Sequence, residues 1–369
     1  MRIGTNSTIL ACLILATPNA LGALPPGSAV FWGDTRFEVA SVRAALTNIV
    51  AISGRSVYFK VAQRADGTVF GWGENGAGQL GFPSDLTNVI ATACGAVQSL
   101  FLLSDGTVRG YGGFAGAEAE PPAGLSSVIA IAAGTYHNLA LRSDGTVVEW
   151  CQSPAPRPTL SGIKGIGAGN YHSLAVRSDG TVVAWGENDS GQCTVPAGLN
   201  KVIAVGGGAQ HSAALLEDGN VVLWGNNQYG QLNKPAAVSR IQAIACGITH
   251  TLALRGDGRV FAWGGNGAGE IRVPEQYTNC VGVAASVTTS FALTRMPIIL
   301  EQPVGTNLLS GDTLELSVAA VAPERLDYQW LRDGQELNGA TGNPLRLAEV
   351  QASASGKYAV MVRNSHGGI

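Results

Sequence analysis

The pair Asp-Gly recurs at Asp66, Asp105, Asp144, Asp179, Asp218 and Asp257, at spacings of 39, 39, 35, 39 and 39 residues. Repetition at such a period constrains the architecture before local propensity does, because each unit must bury its apolar face on copies of itself. Six residues after each Asp stands an aromatic: Trp72, Tyr111, Trp150, Trp185, Trp224 or Trp263. A lone copy of the second half, Val30-Phe31-Trp32-Gly33, lies near the N-terminus. His137, His172, His211 and His250 keep the same period, and Phe59, Gln98 and Thr289 fill the equivalent slots.

Apolar and polar residues alternate on both sides of each Asp-Gly, as in residues 172–186 (HSLAVRSDGTVVAWG). Period two means strands, and Asp-Gly between them predicts a type I′ turn. A third short strand precedes the Gly-rich segment, as in residues 202–208 (VIAVGGG), and the remainder of each unit leaves room for a fourth. No 3.6-residue periodicity supports a helical solenoid. Strand-built units of this size predict blades of an all-β propeller. Seven copies of each half are joined by only six Asp-Gly turns. The first and last lone strands must therefore pair, closing a seven-bladed ring without a free edge.

Composition narrows the function. The chain has 369 residues, 50 of them Gly, and is 46% hydrophobic, too apolar for disorder. Its 23 basic and 26 acidic residues offer no electrostatic footprint for nucleic acid. The first 23 residues carry Arg2, an apolar stretch at 8–16 (TILACLILA), and small residues at Ala20 and Ala23. That pattern predicts a secretory signal peptide, and no run is long enough to span a bilayer. Export would leave five cysteines, Cys94, Cys151, Cys193, Cys246 and Cys280. An odd number cannot all pair internally, and all five are read as packing residues.

The unit W-G-x-N-x-x-G-Q-L at residues 72–80 and 224–232, with H-S-x-A-L-x-x-D-G in the next unit, resembles the repeat of the regulator of chromosome condensation family. The variant with T-V-P after Gly-Gln, at residues 191–196, is similar to secreted bacterial members, which include an inhibitor of β-lactamase. The resemblance covers residues 29–295 and implies a propeller; it leaves the ligand open.

After Arg295 the repeat stops. Residues 311–318, 328–331, 345–347 and 355–360 alternate as strands, with an expected buried Trp330 and a Tyr358 that resembles the tyrosine corner of an immunoglobulin-like domain. Val318 and Val360 stand at the usual cysteine positions. The expected organisation is a signal peptide at 1–23, a seven-bladed propeller at 24–295, and an immunoglobulin-like β-sandwich at 296–369 that lacks its final strand, as in a fragment of a longer protein.

Four successive blades spread the histidines around a ring, so they cannot converge on one metal. Each is expected to tie its own blade turn to neighbouring backbone. The tryptophans are expected in the core, and Gln79, Gln192 and Gln231 are expected to bond local backbone. No nucleophile elbow, H-E-x-x-H or P-loop occurs. The Asp-Gly aspartates are turn residues, and Glu74 and Glu187 are ordinary surface carboxylates. No catalysis, cofactor or metal is expected.

Variable residues on a constant frame remain. The positions just before the histidine slots are Tyr58, Val97, Tyr136, Tyr171, Gln210, Thr249 and Thr288. They should ring one face. Tyr58, Tyr136 and Tyr171 are the expected protein-binding anchors, with Asn170 and Gln210 beside them. The long loops at 34–48, 114–126, 152–162 and 227–239 should emerge away from that face and add Phe37, Phe114 and Tyr229. The expectation is a secreted or cell-surface monomer that binds an unidentified extracellular or surface protein. The alternatives are an inhibitor of an extracellular enzyme, a guanine nucleotide exchange factor for a small GTPase, and a polysaccharide-binding or polysaccharide-degrading protein. The exchange factor is opposed by the export signal, the absence of a basic tail and the lack of room for a wedge-like insertion. The polysaccharide reading is opposed by the framework placement of the Trp residues.

Overall fold

The computed structural model describes residues 26–38, 40–113, 119–151, 158 and 160–369. The N-terminal segment read as a signal peptide lies outside the described residues, as does Phe114. The chain is all-β, with one short α-helix, Ala40–Ala45, among the described residues.

Seven three-stranded antiparallel sheets form the blades. Blade 1 comprises Ile49–Ser53, Phe59–Arg64 and Val69–Gly73, and blade 2 Val89–Cys94, Gln98–Leu103 and Val108–Gly112. Blade 3 comprises Val128–Ala133, His137–Arg142 and Val147–Cys151, and blade 4 Ile163–Ala168, His172–Arg177 and Val182–Gly186. Blade 5 comprises Val202–Gly207, His211–Leu216 and Val221–Gly225, and blade 6 Ile241–Cys246, His250–Arg255 and Val260–Gly264. In each, the first strand is innermost and contacts the first strands of both neighbours around the axis. Blade 7 takes Cys280–Ala285 and Thr289–Thr294 from the end of the repeat and Ser28–Gly33 from its start. Ser28 pairs with Thr294 and Gly33 with Thr289, so the ring closes through strand pairing as the half-unit count requires. Among the described residues no blade gains a fourth strand.

The hairpin turn differs from the type I′ expectation. Gly67 N–H donates to Arg64 O (3.0 Å) and Arg64 N–H to Thr68 O (2.9 Å), while Gly67 alone takes positive φ, +79°. This is a type I turn followed by a left-handed glycine bulge, a three-residue loop. The Asp side chain selects it: Asp66 Oδ1 accepts from Thr68 N–H at 2.9 Å and from Thr68 Oγ1 at 2.7 Å. The same carboxylate-to-Thr pair holds at Asp105, Asp144 and Asp179. These bonds keep the Asp66, Asp105, Asp144 and Asp179 carboxyls below their ordinary range.

A second repeated device went unread in the sequence. The residue before each inner strand is left-handed: Asn48, Asn88, Ser127, Gly162, Lys201, Arg240 and Asn279, with φ between 52° and 61°. A register shift follows two residues on in every inner strand, as between Val202 and Ala204. Such a bulge increases twist and lets the inner strand swing in beside its neighbour.

The core lies between blades. Leu139, Leu141 and Ala130 of blade 3 meet Ile166, Ala175 and Trp185 of blade 4. The alanines of the inner strands let seven backbones converge on the axis, while leucines of the middle strands fill the wider space outward. All six repeat tryptophans, Trp32, Trp72, Trp150, Trp185, Trp224 and Trp263, are buried, and Tyr111 is half-buried. Among the described residues no disulfide forms, and the five cysteines sit within this packing.

A further β-rich region follows. Asp327–Arg332 pairs with Tyr358–Asn364, flanked by Gln335–Glu336 and Gly367–Gly368. Leu314–Leu316 pairs with Leu345–Leu347, and Ile298–Glu301 with Ala319–Val321. Trp330 is fully buried among Leu314, Leu316 and Leu345, and its indole N–H donates to Gly342 O (2.8 Å). Tyr358 Oη donates to Ala354 O (2.7 Å). Asn364 Nδ2 reaches back to Arg295 O (2.7 Å), and Asn279 Nδ2 of the propeller donates to His366 O (2.9 Å).

Deleting residues 29–34 would leave Thr289–Thr294 as a bare edge and uncover Phe291 and Leu293. The expected result is loss of amide-exchange protection in Cys280–Ala285 and Thr289–Thr294 and a lower thermal midpoint. Phe31→Ala, which removes a ring packed edge-on to Phe291 at 6.3 Å, should cost about 3–5 kcal/mol in urea unfolding.

Candidate functional site

At three joints one carbonyl staples neighbouring blades and so fixes the frame of the face. Between blades 4 and 5, Gln192 O accepts from the blade-5 residues Trp224 Nε1 (2.9 Å) and Ser212 Oγ (2.8 Å). Because Ser212 spends its proton there, it accepts from His172 Nε2 of blade 4 (3.0 Å), which assigns the Nε2–H tautomer. Gln231 O with Trp263, Thr251 and His211, and Glu270 O with Trp32, Ser290 and His250, repeat the arrangement. Each histidine thus reaches a hydroxyl of the next blade rather than backbone near its own turn. The Gln amide holds its loop, as expected: Gln79 Oε1 accepts from Ala77 N–H (2.9 Å) and Gln79 Nε2 donates to Glu74 O (3.0 Å). A glycine makes room for each ring. A Cβ on Gly169 would stand 1.9 Å from His172 Cε1, and one on Gly208 2.1 Å from His211 Cε1.

The other joints depart from the pattern, two of them through charged groups. Where the repeat shortens to 35 residues, Glu149 replaces the carbonyl: Trp185 Nε1 donates to its Oε2 (3.1 Å) and Ser173 Oγ to its Oε1 (3.4 Å). In blade 1, Lys60 stands where the other blades carry Ser, Thr or Asn, and its ammonium lies 3.5 Å from Glu38 Oε1, both groups buried. Trp72 Nε1 donates to the same oxygen (3.2 Å). Burial lowers the Lys60 pKa despite the carboxylate.

The turns between inner and middle strands open on one face. Each is three residues long except in blade 1, where residues 54–58 form a five-residue loop. That loop carries Arg55 over the mouth of the axial channel, which inner-strand alanines and glycines line. Arg55 Nε donates to Ala133 O (3.2 Å) of blade 3. Nη1 donates to Asn170 Oδ1 (3.1 Å), and Nη2 to Ala168 O and to Gly207 O (3.0 Å). One guanidinium therefore joins blade 1 to blades 3, 4 and 5. Sequence reasoning missed it; the signal was the two extra residues before Phe59.

Tyr58 and Tyr171 are 51% and 41% exposed, and Tyr136 is half-buried with its ring 6.2 Å from that of Tyr171. The structure thus brings Tyr136 and Tyr171 together, and Arg55 ties the Tyr58 loop to Asn170. Tyr58, Val97, Tyr136 and Tyr171 form an arc over blades 1–4; Gln210, Thr249 and Thr288 complete the ring with smaller polar contact area. Gln210 Oε1 is occupied by Asn226 Nδ2 (3.5 Å).

The long loops leave from this same face, not the opposite one. His172 pairs with Gly186, so the outer strand ends beside the start of the middle strand. Glu187 N–H then donates to Tyr171 O (2.9 Å), Glu74 N–H to Tyr58 O (2.8 Å) and Asn226 N–H to Gln210 O (2.8 Å). Tyr229 lies in such a loop and is 55% exposed. Phe37 is half-buried against Phe31, Leu46 and Trp72, with the Lys60 ammonium 5.9 Å from its ring, so it serves the core.

Burial pushes the Cys94 and Cys280 thiols up to about 12 and Cys193 to about 11. Burial lowers His137 and His250 to about 4 and His172 and His211 to about 3, with the Arg55 charge adding to the effect on His137, His172 and His211. Among the described residues no three His, Cys, Asp or Glu side chains converge as metal ligands, and no helix is long and apolar enough to cross a membrane.

Repeated three-stranded blades closed into a ring, with an aromatic arc on one face, define an all-β propeller scaffold. The Regulator of chromosome condensation (RCC1) repeat matches residues 163–192, 202–231 and 241–270, which are blades 4, 5 and 6 with their following loops. The chain carries these repeats on an RCC1-like propeller. No curated protein matches it. Prp20p from Saccharomyces cerevisiae, whose structure was described with its binding to Gsp1p and histones, superposes with a TM-score of 0.62 at 17% identity, over 73% of this chain and 91% of that one. Human WBSCR16 gives 0.53 at 21% identity over 67% and 86%. The ectodomain of the Physcomitrella patens receptor kinase CR4 gives 0.54 at 21% over 64% and 68%. At these identities the likeness is one of fold.

The four histidines give stability a pH dependence of known sign. Their native pKa values lie below the ordinary 6.5, so the unfolded chain binds protons that the native state refuses. Stability should be full above pH 6.5 and fall between there and about pH 3, by up to about 5 kcal/mol per pH unit where all four are protonated in the unfolded state alone. Urea unfolding across this range should show it, and His172→Gln, which copies the native Gln98 of blade 2, should reduce the slope by one proton. Arg55→Ala removes bonds to three blades and should lower stability by about 2–4 kcal/mol; an unchanged thermal midpoint would remove the axial tie from the account.

Proposed function

We propose that this chain is a non-catalytic, secreted or cell-surface protein-binding module that docks its partner on the arc of Tyr58, Tyr136 and Tyr171. The carrying observation is that Tyr58 and Tyr171 stand 51% and 41% exposed on a frame whose repeat tryptophans are buried. Tyrosines held on rigid loops lose little entropy on binding and supply large amphipathic contact area. Burial of the histidines and of Cys94 and Cys280, with the turn role of the Asp-Gly aspartates, supports a role without catalysis. The N-terminal basic, apolar and small-residue pattern supports export. The region after Arg295 is read as an immunoglobulin-like spacer. Its buried Trp330 and the Tyr358 hydroxyl bonded four residues upstream to Ala354 O support that reading.

The test is capture of extracellular and envelope proteins from the source organism by the immobilised full chain, beside the triple variant Tyr58→Ala, Tyr136→Ala and Tyr171→Ala. A protein held by the first and lost by the second is expected, with each Ala change costing about 2 kcal/mol if that tyrosine is a hot spot. Its identity would separate adhesion from inhibition of an extracellular enzyme. Identical capture by both baits would move the site off this arc.

A further inference from the structure

The two exposed tyrosines of the arc share a feature. Tyr58 O accepts from Glu74 N–H, and Tyr171 O accepts from Glu187 N–H, so each aromatic is followed across one backbone hydrogen bond by a carboxylate residue. Glu74 is exposed and Glu187 half-exposed, with exposed Asp189 two residues beyond. Among the described residues none of these three carboxylates has an ion-pair partner; the nearby cations are already engaged. Arg36 is paired with Asp34 at 2.7 Å, and Arg55 is spent on four oxygens over the channel. The seven slot residues themselves carry no charge. Both ends of the arc therefore combine a π-face with a carboxylate residue that no ion pair neutralises.

That combination favours a cationic side chain. A Lys or Arg laid on a tyrosine face gains from the ring quadrupole, and the carboxylate alongside supplies the counter-charge. An acidic segment would meet repulsion at both ends, while a neutral apolar one would desolvate Glu74 and Glu187 without compensation. We propose that the arc recognises a basic stretch of its partner protein, seating one cationic side chain at Tyr58–Glu74 and another at Tyr171–Glu187. This rests on the docking face proposed above and adds the chemistry of what docks there.

The probe is a fluorescent peptide of alternating Arg and Gly-Ser, titrated against the full chain by anisotropy, with a peptide carrying Glu in place of Arg as the control. The basic peptide is expected to bind, more weakly as ionic strength rises, and the acidic one not to bind. Glu74→Gln with Glu187→Gln should weaken binding about tenfold with the thermal midpoint unchanged, whereas Glu217→Gln on the opposite face should leave it intact. Failure of the basic peptide to bind, full affinity in the paired Gln variant, or equal weakening by Glu217→Gln would each overturn the proposal. The docking face is judged separately. A captured partner released by the tyrosine variants but retained by the Gln variants would keep the face and remove the cation.

Discussion

The ring depends on a main-chain oxygen with two lone pairs at each regular joint. Gln192 O, Gln231 O and Glu270 O each receive an indole N–H and a hydroxyl from the following blade, and the hydroxyl in turn receives an imidazole from the preceding one. The bond sequence crosses the seam between sheets, where hydrophobic packing alone would permit sliding. It also accounts for otherwise odd choices in the repeat. The glycine before the histidine clears space for the ring, the hydroxyl after it completes the relay, and the amide in the loop fixes the carbonyl in place. Neutral imidazoles are then a condition of the architecture, since charging one would set a cation in a seam that burial has stripped of water.

Blade 1 is built on another principle. Its middle strand has Phe59 and Lys60 where the regular blades have His and a small polar residue, and its joint uses a buried ion pair with Glu38. Its neighbour blade 7 is the one blade whose outer strand is not joined to its middle strand by a hairpin. Arg55 compensates by bracing blade 1 across the axis to three others. The same five-residue loop that delivers Arg55 inward ends at Tyr58, which faces outward. Ring bracing and surface presentation therefore come from one insertion, and the aromatic side of the face lies over the half that Arg55 reaches.

Much of this was legible in the chain because it is local or periodic. The Asp-Gly spacing fixed blade number, the two unmatched half-units fixed the closure, and the evenly spaced Trp residues belonged to the core. The turn type was misread because Asp-Gly suits two hairpins, and the choice lies with Thr68 and its counterparts, which give the carboxylate a donor two residues on. Glu149, Glu38–Lys60 and Arg55 were illegible for a different reason. Their partners lie 22 to 152 residues away and become neighbours only after the ring closes. The exit side of the long loops was likewise misplaced until the His172–Gly186 register showed both strand ends at one rim. Of the candidate site, the tyrosines were readable as variable residues on a repeating frame, whereas the carboxylate beside each emerged only from a hydrogen bond across strands.

Borrowing the outer strand of blade 7 from residues 28–33 has a consequence in time. A chain made from its N-terminus emits that strand first and its partner, Thr289–Thr294, more than two hundred residues later. At synthesis rates of about 5–20 residues per second, the strand waits at least ten seconds or so for its place. Blades 1 to 6 can each zip as hairpins while they emerge, but the circle stays open throughout, with an apolar strand loose at one end. Closure is thus a final, all-or-none event that only a chain made past Thr294 can undergo, and a product stopped short of that point remains an open arc with unpaired rims.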